Sequence, residues 1–145
     1  DDGALVRAGD FHGVKILLLS DLGRAGQNLL LERETNRLRA DIVVTGLPTQ
    51  TEPLCEALLD AIQPRVVIVA DSELPATARA SERLKERLLR RQILVLHTRE
   101  TGAVTIRFRP GTCAITTARH QQFHLAELPE MTFPPPASPA DESGL

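Results

Sequence analysis

Asp21 is the first residue whose type and position could support chemistry, because it ends an apolar segment at residues 15–21. A second apolar run, at residues 42–44, leads into a loop that contains Leu47 and Pro48. A catalytic zinc site needs three or four converging His, Cys or carboxylate ligands and one open position for water. This pattern supplies Asp21 and no neighbouring ligand, so it predicts a helix cap or a vestigial metal position.

A second group of polar residues, Asp71, Ser72 and Glu73, follows the apolar run at residues 65–70. Ligands of open α/β sheets generally bind at the carboxyl ends of the strands, so this group is a candidate binding loop. Ser and Asp that precede a proline such as Pro75 are also standard helix start signals, and we interpret helix capping as the main role and the binding loop as the alternative. No histidine lies near Ser72 in the sequence to activate it, which argues against a serine hydrolase.

The histidines give little sign of a metal centre. His120 and His124 are spaced as in a zincin motif, but Gln121 stands where that motif needs a glutamate as general base. We interpret His97, within the strand at residues 93–98, as a paired strand histidine and His12 as a solvated turn residue. These patterns predict no catalytic residue, no metal site and no cofactor.

Basic residues are concentrated on a segment with helical spacing, where Arg87, Arg90 and Arg91 form a candidate DNA-binding ridge. Because glutamates interleave with these arginines, we interpret the segment first as an ordinary solvated helix face and keep the DNA-binding ridge as the alternative. The formal net charge of −2 gives no global attraction to nucleic acid, and any DNA contact must be local. Aromatic residues make up 3% of the chain, with no Trp or Tyr, which argues against single-strand binding by base stacking.

The 145 residues, 42% of them hydrophobic, are enough for one core, and no run reaches the ~18 apolar residues of a membrane span. Short Val- and Ile-rich runs at residues 41–46, 65–71 and 93–98 predict parallel strands that are covered on both faces. We expect the remaining elements to be helices at residues 24–38, 52–63 and 75–91 and flanking strand pairs at residues 4–8 with 14–20 and 102–108 with 112–117. The predicted fold class is therefore α/β, with a βαβαβ core. We place the domain at residues 1–118 and a proline-rich, disordered tail at residues 119–145.

Four segments resemble the carboxy-terminal metallo-β-lactamase-like domain of ComEC-type competence proteins, which internalise DNA. They are residues 1–6, the strand that ends at Asp21, residues 61–68 and the closing strand at residues 101–106. Two departures concern the metal ligands. Leu47 and Pro48 replace the family's histidine pair, and Leu74 stands where the family has a histidine before its last long helix.

The resemblance implies one half of an αββα sandwich in which the zinc of the family is not expected. We interpret the chain as a non-catalytic domain with a structural or DNA-positioning role, on the extracytoplasmic side of a bacterial inner-membrane protein. Its expected partners are the rest of that protein and DNA. Two alternatives stay open: a metal-dependent nuclease whose other ligands lie upstream, and a generic α/β interaction module. Because residues 16–19 are apolar on both faces, we also expect part of this strand to be exposed or to pair with another chain.

Overall fold

The computed structural model describes residues 3–128, so most of the predicted tail lies outside the described residues. The strands are β1 Arg7–Phe11, β2 Val14–Ser20, β3 Ile42–Thr45, β4 Val66–Val69, β5 Leu94–His97, β6 Val104–Arg109, β7 Thr112–Thr117 and β8 Gln122–His124. The α-helices are α1 Arg24–Glu34, α2 Glu56–Ile62, α3 Glu82–Arg90 and α4 Thr98–Thr101. Short 3₁₀ turns cover Thr35–Arg37, Ala76–Ala78 and Leu125–Glu127. No helix in this part of the chain is both long and apolar enough to cross a membrane.

The first five strands form one sheet in sequence order, β1-β2-β3-β4-β5. β1 pairs with β2 in an antiparallel manner, and β2 to β5 run parallel. Ile42, Val66 and Leu94 are successive partners across β3, β4 and β5. All four residues of β4 are buried, as expected for a parallel strand covered on both faces. The predicted α/β class and its parallel core are confirmed.

The second sheet is antiparallel, with the order β6-β7-β8. The predicted hairpin of β6 and β7 is confirmed, and Gly111 provides the positive φ of +76° that its turn requires. The sequence did not reveal β8, because three residues are too few to show a strand period. β8 pairs with β7 and leads to Leu125, which is 5% exposed in the core. The domain boundary predicted at residue 118 is therefore wrong, because the packed chain continues to about residue 128.

Two hydrophobic cores lie on opposite faces of the five-stranded sheet. On one face, Leu17, Leu19, Val43 and Val67 pack with apolar side chains of the helices, which include Leu58 and Leu84. On the other face, Ile42, Val66, Ile68 and Leu96 pack against Cys113 and Ile115 of the three-stranded sheet. The layers are thus helices, a five-stranded sheet and a three-stranded sheet. This layering accounts for the continuous apolar character of the central strands.

Two predicted helix boundaries are wrong, and local hydrogen bonds explain both. α2 begins at Glu56 rather than at residue 52 because the buried side chain of Gln27 binds the preceding segment. Gln27 Nε2 donates to the Glu52 carbonyl at 3.0 Å, and its Oε1 accepts from the Cys55 N–H at 2.8 Å. α3 begins at Glu82 rather than at residue 75 because the Ser81 hydroxyl caps it by accepting the Leu84 N–H at 3.1 Å.

The three-stranded sheet leaves part of the five-stranded sheet uncovered. Leu18 in β2 is 39% exposed and Phe11 in β1 is 48% exposed, while Leu17 and Leu19 are buried under the helices. Phe11 stacks on Phe108 of β6 with ring centroids 4.7 Å apart. The expectation that part of residues 16–19 is exposed is confirmed for Leu18.

Candidate functional site

The carboxyl ends of β2 to β5 lie at one edge of the sheet, because these four strands run parallel. Asp21 follows β2, the loop at residues 46–55 follows β3, and Asp71 to Glu73 follow β4. The candidate metal and binding residues of the strand-end loops therefore share one edge. Loops in this position usually carry the ligands of α/β proteins.

The residues near Asp21 do not fit a zinc ion. The carboxylate of Asp21 accepts a hydrogen bond from the Ser20 hydroxyl at 3.2 Å. The next loop supplies Leu47 and Pro48, whose side chains have no ligand atom. Within residues 3–128, no group of three or more His, Cys, Asp or Glu side chains is placed to hold a metal. The predicted capping role of Asp21 is also wrong, since α1 begins after Gly23 without a side-chain cap.

Asp71 ties the ends of β4 and β5 together. Its carboxylate is fully buried and accepts the Arg99 N–H at 2.9 Å through Oδ1. Its Oδ2 lies 3.2 Å from His97 Nδ1, which confirms the prediction of a paired strand histidine. The Asp71 main chain also exchanges hydrogen bonds with the Thr98 hydroxyl. Asp71 therefore binds the first turn of α4, and the prediction that it caps the following long helix is wrong.

Ser72 and Glu73 are exposed and engage the surrounding loop. The Ser72 hydroxyl donates to the Leu74 carbonyl at 2.9 Å. The Glu73 carboxylate pairs with Arg79 at 2.9 Å and with Arg99 at 3.4 Å. The Ser72 hydroxyl and the His97 imidazole therefore have different partners, the Leu74 carbonyl and the Asp71 carboxylate.

The predicted arginine ridge on α3 divides into inward and outward side chains. The Arg87 guanidinium donates to the carbonyls of Pro53 and Leu54 at 3.0 and 3.1 Å and is 13% exposed. Arg91 is 14% exposed and forms ion pairs with Glu56 and Asp60 of α2. These two arginines join α3 to α2.

Arg90 differs from its two neighbours because its side chain is 74% exposed, 3.7 Å from Glu56. The hydrogen bond from Arg91 and the nearby charges of Arg87 and Arg90 hold the pKa of Glu56 below its ordinary value. Glu56 is thus ionised in the folded protein and partly neutralises the whole ridge.

His120 and His124 do not form a pair on a helix. His120 lies in the turn before β8 with a φ of +63°, and His124 ends β8. The His124 ring contacts Gln122 at 3.3 Å. The extended backbone between them removes the one-sided arrangement that an i, i+4 spacing has on a helix.

A cleft that the sequence did not reveal opens among the loops leading from the sheet into the helices. We call it the arginine cleft. It has a volume of about 560 Å³ and is lined by residues 47–53 on one side and by residues from the segment 77–83 on the other, with Arg24, Arg79 and Arg83 among its walls. Several hydroxyls also line it, those of Thr49, Thr51, Thr77 and Ser81.

Three arginines face one carboxylate, Glu52, in the lining of the arginine cleft. Arg79 is paired with Glu73. Within residues 3–128, the guanidinium groups of Arg24 and Arg83 take part in no ion pair or hydrogen bond. Among the described residues, the lining of the cleft therefore has excess positive charge. The cleft could not be predicted from residue spacing, because Arg24 and the two later arginines become neighbours only in the folded chain.

No known family model matches the chain, and neither does any curated protein. The resemblance to the ComEC-type domain stays a prediction that rests on the four sequence segments described above.

Proposed function

We propose that this chain is a non-catalytic, metallo-β-lactamase-like domain of a ComEC-like DNA-uptake protein, on the extracytoplasmic side of the membrane, and that it positions DNA without cutting it. The observation that carries the proposal is the arginine cleft, in which Arg24 and Arg83 have no acidic partner among residues 3–128. Guanidinium groups are well suited to phosphodiesters because they donate planar pairs of hydrogen bonds to two oxygens.

The location of the cleft supports a binding role. The cleft lies at the loops that follow the parallel strands, and the sheet holds these loops in place. The Thr51 hydroxyl accepts the Arg24 N–H at 3.1 Å, which joins the start of α1 to the loop after β3. Contacts between arginines and phosphates position a nucleic acid backbone and carry no base sequence information.

The residue types at the same edge support a role without catalysis. Leu47, Pro48 and Leu74 occupy the positions at which the resemblance places metal-binding histidines. The buried Asp71 carboxylate is engaged by His97 and Arg99 and bridges two strands. Asp21 is the remaining acid of the family pattern, and one carboxylate is too few for a catalytic zinc site.

Salt-dependent binding of a fluorescent single-stranded oligonucleotide tests the proposal. Each phosphate that the protein neutralises contributes about −0.7 to the slope of log K against log salt concentration for single strands. The double variant Arg24→Gln/Arg83→Gln should therefore flatten the slope by about 1.4. Arg90→Gln, on the same helix as Arg83 but outside the cleft lining, is the matched control and should change binding little.

Three results contradict the proposal. Equal affinity and slope in the wild type and the double variant would remove the cleft from DNA binding. Binding that is undetectable at a low salt concentration of about 50 mM would favour the generic interaction module. Stoichiometric metal with DNA cleavage that is lost in Asp21→Ala would establish the metal-dependent nuclease instead.

A further inference from the structure

Glu52 is the acidic residue in the lining of the arginine cleft, and its carboxylate is held in a fixed position. Its Oε2 accepts a hydrogen bond from the Ser81 hydroxyl at 2.8 Å, while its main-chain carbonyl accepts from Gln27. The hydrogen bonds of its carboxylate within residues 3–128 involve Oε2, which leaves Oε1 for a ligand.

A carboxylate in an anion-binding cleft weakens the binding of a simple anion, because like charges repel. It becomes favourable when the same ligand carries a hydrogen-bond donor that reaches the carboxylate. The combination of Arg24, Arg83 and Glu52 therefore selects a ligand that has both a phosphate group and a donor group.

We propose that the arginine cleft binds a single nucleotide unit, with its phosphate on the arginines and a hydroxyl or amino group of its nucleoside on Glu52. The choice of a nucleotide rests on the proposed function, whereas the need for a donor rests on Glu52 alone. A volume of about 560 Å³ is in the range of small-ligand sites and too small to enclose a duplex. The unit that enters the cleft is thus a nucleotide of a single strand.

The experiment compares two probes, 2′-deoxyadenosine 5′-monophosphate and inorganic phosphate, by titration calorimetry or by shifts of amide NMR signals. The quantity of interest is the ratio of their affinities. Glu52→Gln removes the negative charge, so it should tighten phosphate binding and weaken nucleotide binding. We expect the preference for the nucleotide to fall by about tenfold or more, as for the loss of a hydrogen bond to a charged group.

Two further variants keep the result interpretable. Glu82→Gln changes an acid that is 81% exposed and outside the cleft lining, and it should leave the affinity ratio unchanged. Arg83→Gln changes an exposed side chain and should weaken both probes by a similar factor, so their ratio should stay close to that of the wild type. An equal loss in Glu82→Gln would mean that the effect of Glu52→Gln is a general effect of charge.

The outcomes separate this inference from the proposed function. An affinity ratio that Glu52→Gln leaves unchanged, or a wild type that binds neither probe, overturns the nucleotide site. If the oligonucleotide binds and the mononucleotide does not compete with it, the DNA-positioning role stands and the nucleotide site falls. If the mononucleotide binds as expected but the oligonucleotide does not, the DNA-positioning role falls and the nucleotide site stands.

Discussion

Replacing Asp71 by alanine removes a buried carboxylate that accepts the Arg99 N–H at 2.9 Å and contacts His97 Nδ1 at 3.2 Å. Hydrogen bonds to charged groups contribute roughly 1.5–3 kcal/mol each, and the donors left behind are buried and lose their partner. Because the two contacts share one carboxylate, we expect the free energy of unfolding to fall by about 3–5 kcal/mol. That is a large part of the ~5–15 kcal/mol typical of a whole domain.

Urea unfolding followed by far-ultraviolet circular dichroism measures this loss, since the chain has no Trp or Tyr for fluorescence. Asp60→Ala is the matched control, because that carboxylate is 55% exposed and its ion pair with Arg91 should contribute less than about 1 kcal/mol. Asp71→Asn keeps an acceptor for the Arg99 N–H and should recover roughly half of the loss. Equal losses in Asp71→Ala and Asp60→Ala would refute the strand-bridging role of Asp71.

Two other predictions follow from burial and charge on the helices. Leu88→Ala empties a fully buried position of α3 and should cost about 2–5 kcal/mol in urea unfolding, whereas Leu89→Ala, at 77% exposure, should cost less than about 0.5 kcal/mol. Equal costs would contradict the packing of α3. Because the pKa of Glu56 is lowered on folding, its stabilisation is present above the ordinary value of 4.5 and is lost as the pH falls through the folded-state pKa. Glu56→Gln should therefore be less stable than the wild type at pH 7, by about 0.5–1 kcal/mol, and the difference should shrink as the pH falls below 4.5; a difference that does not change with pH would exclude the ionic origin.

The central sheet could be predicted because its residue types are compatible with few other secondary structures. Runs of Val and Ile such as residues 66–69 are too short for a buried helix and too continuous for a half-solvated strand. Gly111 next to Pro110 gave the hairpin in the same way, through the backbone angles that the turn requires.

The helix starts could not be predicted, because they depend on side chains that are distant in sequence. Pro53 favours a helical turn locally, but Gln27 binds the main chain at residues 52 and 55 and holds this segment outside α2. Local propensity is a weak guide where a tertiary hydrogen bond competes with it.

The candidate site was likewise predictable only in part. The position of Asp71 to Glu73 at a strand end was predictable from topology, and so was the pairing of His97. The inward direction of Arg87 and Arg91 was not, since it depends on how α3 packs against α2. The arginine cleft combines three segments that become neighbours only in the folded chain.

The five-stranded sheet is wider than the three-stranded sheet that covers it, which leaves Leu18 and Phe11 exposed on the face away from the helices. The arginine cleft opens on the side where the loops enter the helices. A surface change such as Leu18→Ser can thus alter the solubility and self-association of this domain while the arginine cleft stays intact. The exposed apolar strand face and the arginine cleft can therefore be changed independently by mutation.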